Sequence, residues 1–266
     1  SGHSVKPFHF CRMPFLHSPS RIINPLARER RFGFGSGVGG GGSAILPPVA
    51  GPLIWLDANQ EGYSNNDPVT SFTDWSGSGN NFTASGTARP TFKTNRINGR
   101  PTVQADGVDD GLLLASLGAQ AAWSVFFIGC LVSYTGNKNI LAVDDYNPDG
   151  TFILFQQSAP ATANVNATPG AINQVGSGVG LKTAFKLTGN STVGTIRASD
   201  NTGGQTSANY SKASAPMRLF RRGDGLYANY EISELLMYPS VLGTTDATTI
   251  WTYFNTRYGT AIPATP

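Results

Sequence analysis

Beyond its first 46 residues the chain has three glutamates, Glu61, Glu231 and Glu234, and no histidine, since His3, His9 and His17 all precede residue 47. A Ser-His-Asp triad within residues 47–266 is therefore excluded, and so is a histidine-based metal site. Acid chemistry remains. Glycoside hydrolysis needs two carboxyl groups placed on either side of a scissile bond. Glu231 and Glu234 lie three apart in a stretch that reads as a strand. Side chains alternate along a strand, so the two are expected on opposite faces. An aspartate pair drawn from separate loops stays open, but the expectation is of no hydrolase activity.

Two aspartate groups could hold a hard cation. Asp106, Asp109 and Asp110 form one, and Asp144, Asp145 and Asp149 form the other. Oxygen ligands on loops suit Ca²⁺, although neither group has EF-hand spacing. The alternative is turn chemistry, because aspartate side chains bend and bond their own backbone. Arg222-Gly223-Asp224 spells an adhesive tripeptide, and with Gly225 it also reads as a hairpin turn.

The elements that must position these residues follow from composition. Only 13% of the 266 residues are charged, against a usual ~25%. Glycine (32) and proline (17) are abundant, and glutamate occurs four times. Such a chain reads as many short strands joined by turns, not as a helical bundle. Leu53–Leu56, Trp123–Val132, Thr151–Gln157, Ala184–Leu187, Arg218–Arg221, Leu226–Tyr230 and Ile232–Tyr238 are expected strands. Asn98-Gly99 marks a tight turn. Residues 158–179, rich in Ala, Asn, Gly and Thr, carry little signal. One helix is expected near the end. Thr244 or Thr245 would cap it, Ile250, Trp251, Phe254 and Tyr258 share a face, and Gly259 stops it.

Charge is uneven. In residues 1–46, Lys6, Arg12, Arg21, Arg28, Arg30 and Arg31 face Glu29 alone, a net of +5. The whole chain is +3, so residues 47–266 carry −2. Pro7, Pro14, Pro19 and Pro25 forbid a long helix there. Phe8, Phe10, Phe15, Ile22 and Phe32 are more apolar than a solvated tail would be. Residues 1–46 therefore read as an extended basic arm that orders on another surface. Its assembly residues would be Phe8, Phe10, Arg12, Phe15, Arg21, Ile22, Arg28, Arg30, Arg31 and Phe32. The glycine-rich run from Gly33 to Ser43 contains G-x-G-x-x-G, but no strand precedes it and no helix follows. It reads as a tether, not a dinucleotide site. A slightly acidic body and a short basic run disfavour nucleic acid. Cys11 and Cys130 make no disulfide scaffold, and Cys130 reads as a buried thiol. Leu112–Val132 is uncharged but broken by Ser, Gly and Gln, so it reads as strands rather than a membrane span.

The body resembles the concanavalin-A-like, laminin-G-like jelly rolls of bacteriophage virion proteins. Leu53-Ile-Trp-Leu-Asp-Ala58, Asp74-Trp-Ser-Gly-Ser-Gly-Asn-Asn-Phe82, Ile97-Asn-Gly-Arg-Pro-Thr-Val103, Asp106-Gly-Val-Asp-Asp110 and Ala228–Tyr238 carry the resemblance, with Thr252–Gly259 at the end. It implies an all-β, two-sheet jelly-roll sandwich over 47–266, with one C-terminal helix and the extended arm 1–46. Calcium is a frequent ligand of that family. The paired-glutamate strand of its glucanases is absent. The expectation is a virion-surface structural protein, anchored to capsid or tail by the arm and present in many copies or as a homo-oligomer. It would serve capsid decoration, cementing or adhesion to host-surface glycans. The alternatives are a secreted carbohydrate-binding module or a glycan depolymerase.

Overall fold

The computed structural model describes residues 46–133, 138–143, 152–157, 163–168, 172–177, 182–198, 205–206, 211–223 and 225–260. All of these except Leu46 belong to one compact unit. The ten assembly residues of the arm, from Phe8 to Phe32, the glycine tether, and Asp144, Asp145 and Asp149 lie outside the described residues.

The strands, in chain order, are β1 (Ile54–Asp57), β2 (Ser71–Phe72), β3 (Phe82–Thr83), β4 (Thr91–Ile97), β5 (Arg100–Gln104), β6 (Leu112–Leu117), β7 (Trp123–Leu131) and β8 (Lys138–Val143). Then come β9 (Phe152–Gln157), β10 (Ala163–Thr168), β11 (Ile172–Ser177), β12 (Lys182–Gly189), β13 (Gly194–Ala198), β14 (Gln205–Thr206), β15 (Ala215–Leu219) and β16 (Tyr230–Tyr238). The helix α1 (Thr244–Tyr258) follows. Two antiparallel sheets result. One runs β14-β13-β12-β7-β16-β5-β4, with β1 also on β16. The other runs β11-β10-β9-β8-β15-β6-β3-β2.

The two sheets pack face to face. Leu56, Val103, Val125, Phe127, Phe185, Leu235 and Met237 of the first meet Phe72, Phe82, Leu112, Leu141, Met217 and Leu219 of the second. The first sheet is buried on its other face as well, because α1 lies across it. Ala247, Ile250, Trp251, Phe254 and Tyr258 pack on Trp55, Phe126, Ile128, Leu236 and Tyr238. That double burial explains why β7 and β16 are buried at every position, and why Trp123–Leu131 is predominantly apolar on both faces instead of alternating. Gly129 is needed by close approach: a Cβ there would collide with the Tyr230 ring and the Glu231 carbonyl.

Local chemistry agrees with the sequence at several points. Asn98 and Gly99 both take positive φ (50° and 77°), as a two-residue hairpin requires. Gly259 closes α1 in the left-handed region, its N–H bonding the Asn255 carbonyl. The Leu226 carbonyl accepts from Arg222 N at 3.1 Å, and the Arg222 carbonyl from Gly225 N at 3.2 Å. Cys130 is buried, with its Sγ 3.7 Å from the Leu131 carbonyl oxygen.

Three expectations change. Leu226–Tyr230 is not a strand of its own, since only Tyr230 is in a strand, as the first residue of β16. Helix α1 starts one residue earlier than a threonine cap allows. Its N-cap is Gly243, with no side-chain bond, so Asp246 supplies the favourable charge of the first turn. The low-signal stretch 158–179 contains the hairpin β10–β11, which a sparsely apolar sequence did not announce.

The packing of α1 yields a test. The Trp251 ring meets Phe126 edge-on at 5.4 Å, and its indole N–H has no hydrogen-bond partner. Trp251→Ala should cost about 3–5 kcal/mol by cavity formation. Trp251→Phe should cost clearly less, since no hydrogen bond is lost. Chemical denaturation of the three proteins decides it, and equal losses for both variants would show that the ring's bulk does not hold the helix.

Candidate functional site

Glu231 and Glu234 do not face opposite ways. In the register of β16 against β7, Glu231 opposes Cys130, Ile232 opposes Gly129 and Glu234 opposes Ile128. Ser233 is therefore an extra residue, a β-bulge, which resets the alternation. Both glutamates point to the α1 side, effectively two strand steps apart, or about 7 Å. Strand parity failed here because one inserted residue flips every side chain beyond it.

Two carboxyl groups on one face of a strand are the kind of pair that glycoside hydrolysis uses. The burial does not suit it. Neither glutamate has any solvent exposure, and each is already engaged. Glu231 accepts from Arg96 Nε at 2.9 Å and Thr102 Oγ1 at 3.0 Å. Glu234 accepts from Trp55 Nε1 at 2.8 Å, Tyr253 Oη at 2.9 Å and Tyr258 Oη at 2.6 Å. Arg257 bridges this group to Asp57, with Nη2 2.6 Å from Asp57 Oδ2 and Nε 3.6 Å from Glu234 Oε2. The network ties β1, β16 and α1 together from the buried side. Burial, then the charge of Asp57, pushes the Glu234 carboxyl up to about 7, against the opposing pull of Arg257, Tyr258 and Trp55. Burial likewise raises Tyr253 and Tyr258, so both phenols stay protonated and donate.

The aspartates of the β5–β6 loop do converge. The carboxylate oxygens of Asp106, Asp109 and Asp110 all lie within 4.8 Å of one another. The Asp106 N–H donates to Asp110 Oδ2 at 3.0 Å, and the Val108 N–H to Asp106 Oδ1 at 2.8 Å. These are turn bonds of the kind aspartate makes with its own backbone. Three oxygens supply at most half of a Ca²⁺ shell of 6–8. Burial, with Asp106 and Asp109 adding to it, lifts Asp110 to about 6.

A third acidic group was not singled out by the sequence reading. Asp74 is buried at the base of the loop between β2 and β3 and accepts four hydrogen bonds. They come from Trp55 N, Ser76 N and Ser76 Oγ at 2.9 Å each and from Asn80 N at 2.8 Å. Its own N–H donates to Asn81 Oδ1 at 2.8 Å. Gly77 and Gly79 take positive φ (87° and 76°) and let the loop wrap round the carboxylate. The next residue, Trp75, is 42% exposed, while Trp55, Trp123 and Trp251 are at most 2% exposed. Its N–H donates to the Trp55 carbonyl at 2.8 Å. Its indole lies beside Glu61, whose carboxylate accepts from Thr73 N at 2.7 Å. Burial raises the Glu61 carboxyl above its ordinary value. The available signal was Asp74-Trp-Ser-Gly-Ser-Gly-Asn80, an aspartate followed by the small and amide residues that can bond back to it.

No protein-family model matches the chain, and no curated protein is similar to it in sequence. Solved structures do share its fold. A Trypanosoma rangeli sialidase in complex with an inhibitor superposes with a TM-score of 0.55 at 11% identity, over 79% of this chain and 34% of the sialidase. A GH54 α-L-arabinofuranosidase gives 0.53 at 10% identity, over 79% and 60%. An arabinofuranosidase complexed with arabinofuranosyl-α-1,2-xylobiose gives 0.53 at 10%, over 77% and 58%. The chain thus spans about a third of the sialidase and three fifths of the arabinofuranosidases. At such identities the likeness is one of fold.

These neighbours correct two expectations. The virion-surface structural role does not stand, because the fold's solved kin named above are glycosidases and none is a virion protein. The expectation of a chain with no enzymatic role falls with it, since it was drawn from missing glutamate and histidine motifs. No helix among the described residues is long and apolar enough to cross a membrane.

The Glu234 network makes stability depend on pH with a definite sign. The folded state keeps the Glu234 proton up to about 7, whereas an unfolded glutamate releases it near ~4.3. Between those values the folded state binds more protons, so stability falls as pH rises. Asp110, lifted to about 6, acts in the same direction. Melting temperature should therefore drop between pH 4.5 and pH 7 and level off above. Glu234→Gln should flatten much of that slope; an unchanged slope would place its source elsewhere.

Proposed function

We propose that this chain is the glycan-recognising β-sandwich of a glycan-processing enzyme, with a concanavalin-A-like arrangement of its two sheets. The observation that carries the reading is the superposition on a sialidase and on arabinofuranosidases across more than three quarters of the chain. Partial coverage of those enzymes fits a domain that works beside, or as part of, a catalytic unit. Fold alone does not determine chemistry, so the site must be tested directly.

Glu231 and Glu234 are sealed and engaged, Glu231 with Arg96 and Thr102 and Glu234 with α1, so a catalytic acid pair would be drawn from other residues. The test combines binding and turnover. The purified chain should be retarded in affinity gels containing arabinoxylan, and should be assayed on 4-nitrophenyl α-L-arabinofuranoside and on a sialic acid substrate. Binding with turnover would put the catalytic pair within this chain. Binding without turnover would assign it the recognition role. Absence of both, across neutral and sialylated glycans, would sink the reading.

A further inference from the structure

We propose that Trp75, held on the Asp74 loop and backed by Glu61, is a binding platform for a neutral sugar ring. The inference deepens the glycan reading above and rests on it. Aromatic rings inside proteins are large contributors to burial, and a tryptophan is usually covered. Here three of the four tryptophans are covered and the fourth is 42% exposed. It is not a loosely hung side chain. Its backbone is clamped to Trp55, its loop is wound round the buried Asp74, and Glu61 lies beside its indole. A rigid, part-exposed indole costs little entropy when something stacks on it.

The chemistry of the flank selects the ligand. A sugar ring offers an apolar face of C–H groups and an edge of hydroxyls. The indole can take the face, where burial of apolar area drives contact. The Glu61 carboxylate can take the edge. Thr73 N and Thr73 Oγ1 occupy part of its acceptor capacity, which is about four lone-pair sites. A hydroxyl donor fits what is left. An anionic sugar does not, because its carboxylate would meet that of Glu61, with Asp57 already adding negative potential there. Of the two neighbour chemistries, the pentose side therefore fits this shelf and the sialic acid side does not.

The four tryptophans make the test specific. With the other three buried, acrylamide quenching of tryptophan fluorescence reports mainly on Trp75. Arabinoxylan oligosaccharides should shield it in the full chain, and sialyllactose should not. Trp75→Ala should weaken oligosaccharide binding by about tenfold, the loss of one aromatic contact. Its melting temperature should be unchanged, and Trp75→Tyr should recover part of the affinity. If Trp75→Ala binds the oligosaccharide as the parent does, the platform is wrong while the glycan reading survives. If the parent binds no glycan at all, both fall. Tighter binding of sialyllactose would overturn the preference for neutral sugars. A parent that self-associates through Trp75 in sedimentation, with no sugar shielding, would overturn the platform as well.

Discussion

Glu234 sits where β1, β16 and α1 meet, and the outer half of the molecule depends on how its charge is handled. A carboxylate with no exposure is costly unless it is paired and hydrogen-bonded. Here Trp55, Tyr253 and Tyr258 donate to it, and Arg257 shares its charge between Glu234 and Asp57. Three of those partners come from the last turns of one helix. The apolar face of α1 supplies the attraction to the sheet, but apolar contact is not directional. The donors fix which rotation and height of the helix is native. Tyr253 and Arg257 are one turn apart, and the guanidinium lies 5.4 Å from the Tyr253 ring centre. Removing one member would leave the remaining charges unpaired in a low-dielectric layer.

The bulge at Ser233 is what makes this arrangement available. Without it Glu231 or Glu234 would turn into the apolar space between the sheets, beside Ile232 and Leu235. With it, both acids face the helix layer. The same point divides one edge of β16 between two partners: β5 pairs at Glu231 and Ile232, and β1 pairs from Glu234 to Met237. The Ser233 hydroxyl donates to the Pro101 carbonyl at 2.7 Å, which fixes the irregular step.

Much of the fold was legible in the residues. The largely apolar run of β7, the turn at Asn98-Gly99 and the glycine after Tyr258 each have a local cause that a sequence displays. The bulge does not, because an inserted residue has no compositional mark and its effect is set by the neighbouring strands. The hairpin β10–β11 was hidden for another reason. Ala163–Thr168 and Ile172–Ser177 have few large apolar residues, so pairing with adjacent strands, not local preference, makes them strands. At the site, the Asp106, Asp109 and Asp110 cluster was visible as spacing. The Glu61 and Trp75 contact was not, since the partners are 14 positions apart and meet only when the loop closes.

Strand β1 joins the buried network to the exposed shelf. One residue, Trp55, gives its indole N–H to Glu234, its backbone N–H to Asp74 and its carbonyl to Trp75. The surface tryptophan is therefore two hydrogen bonds from Glu234. Energetic coupling between such sites needs an element with two arrangements that both sites bias. Trp55 has one, because its ring is wedged under α1 and its backbone is paired on β16. A proton on Glu234 changes the charge that Arg257 sees but leaves an oxygen to accept from the indole. What passes along this path is rigidity rather than a signal. The cost of burying Glu234 is met in the helix layer, and one consequence is a loop held still enough to present an indole to solvent.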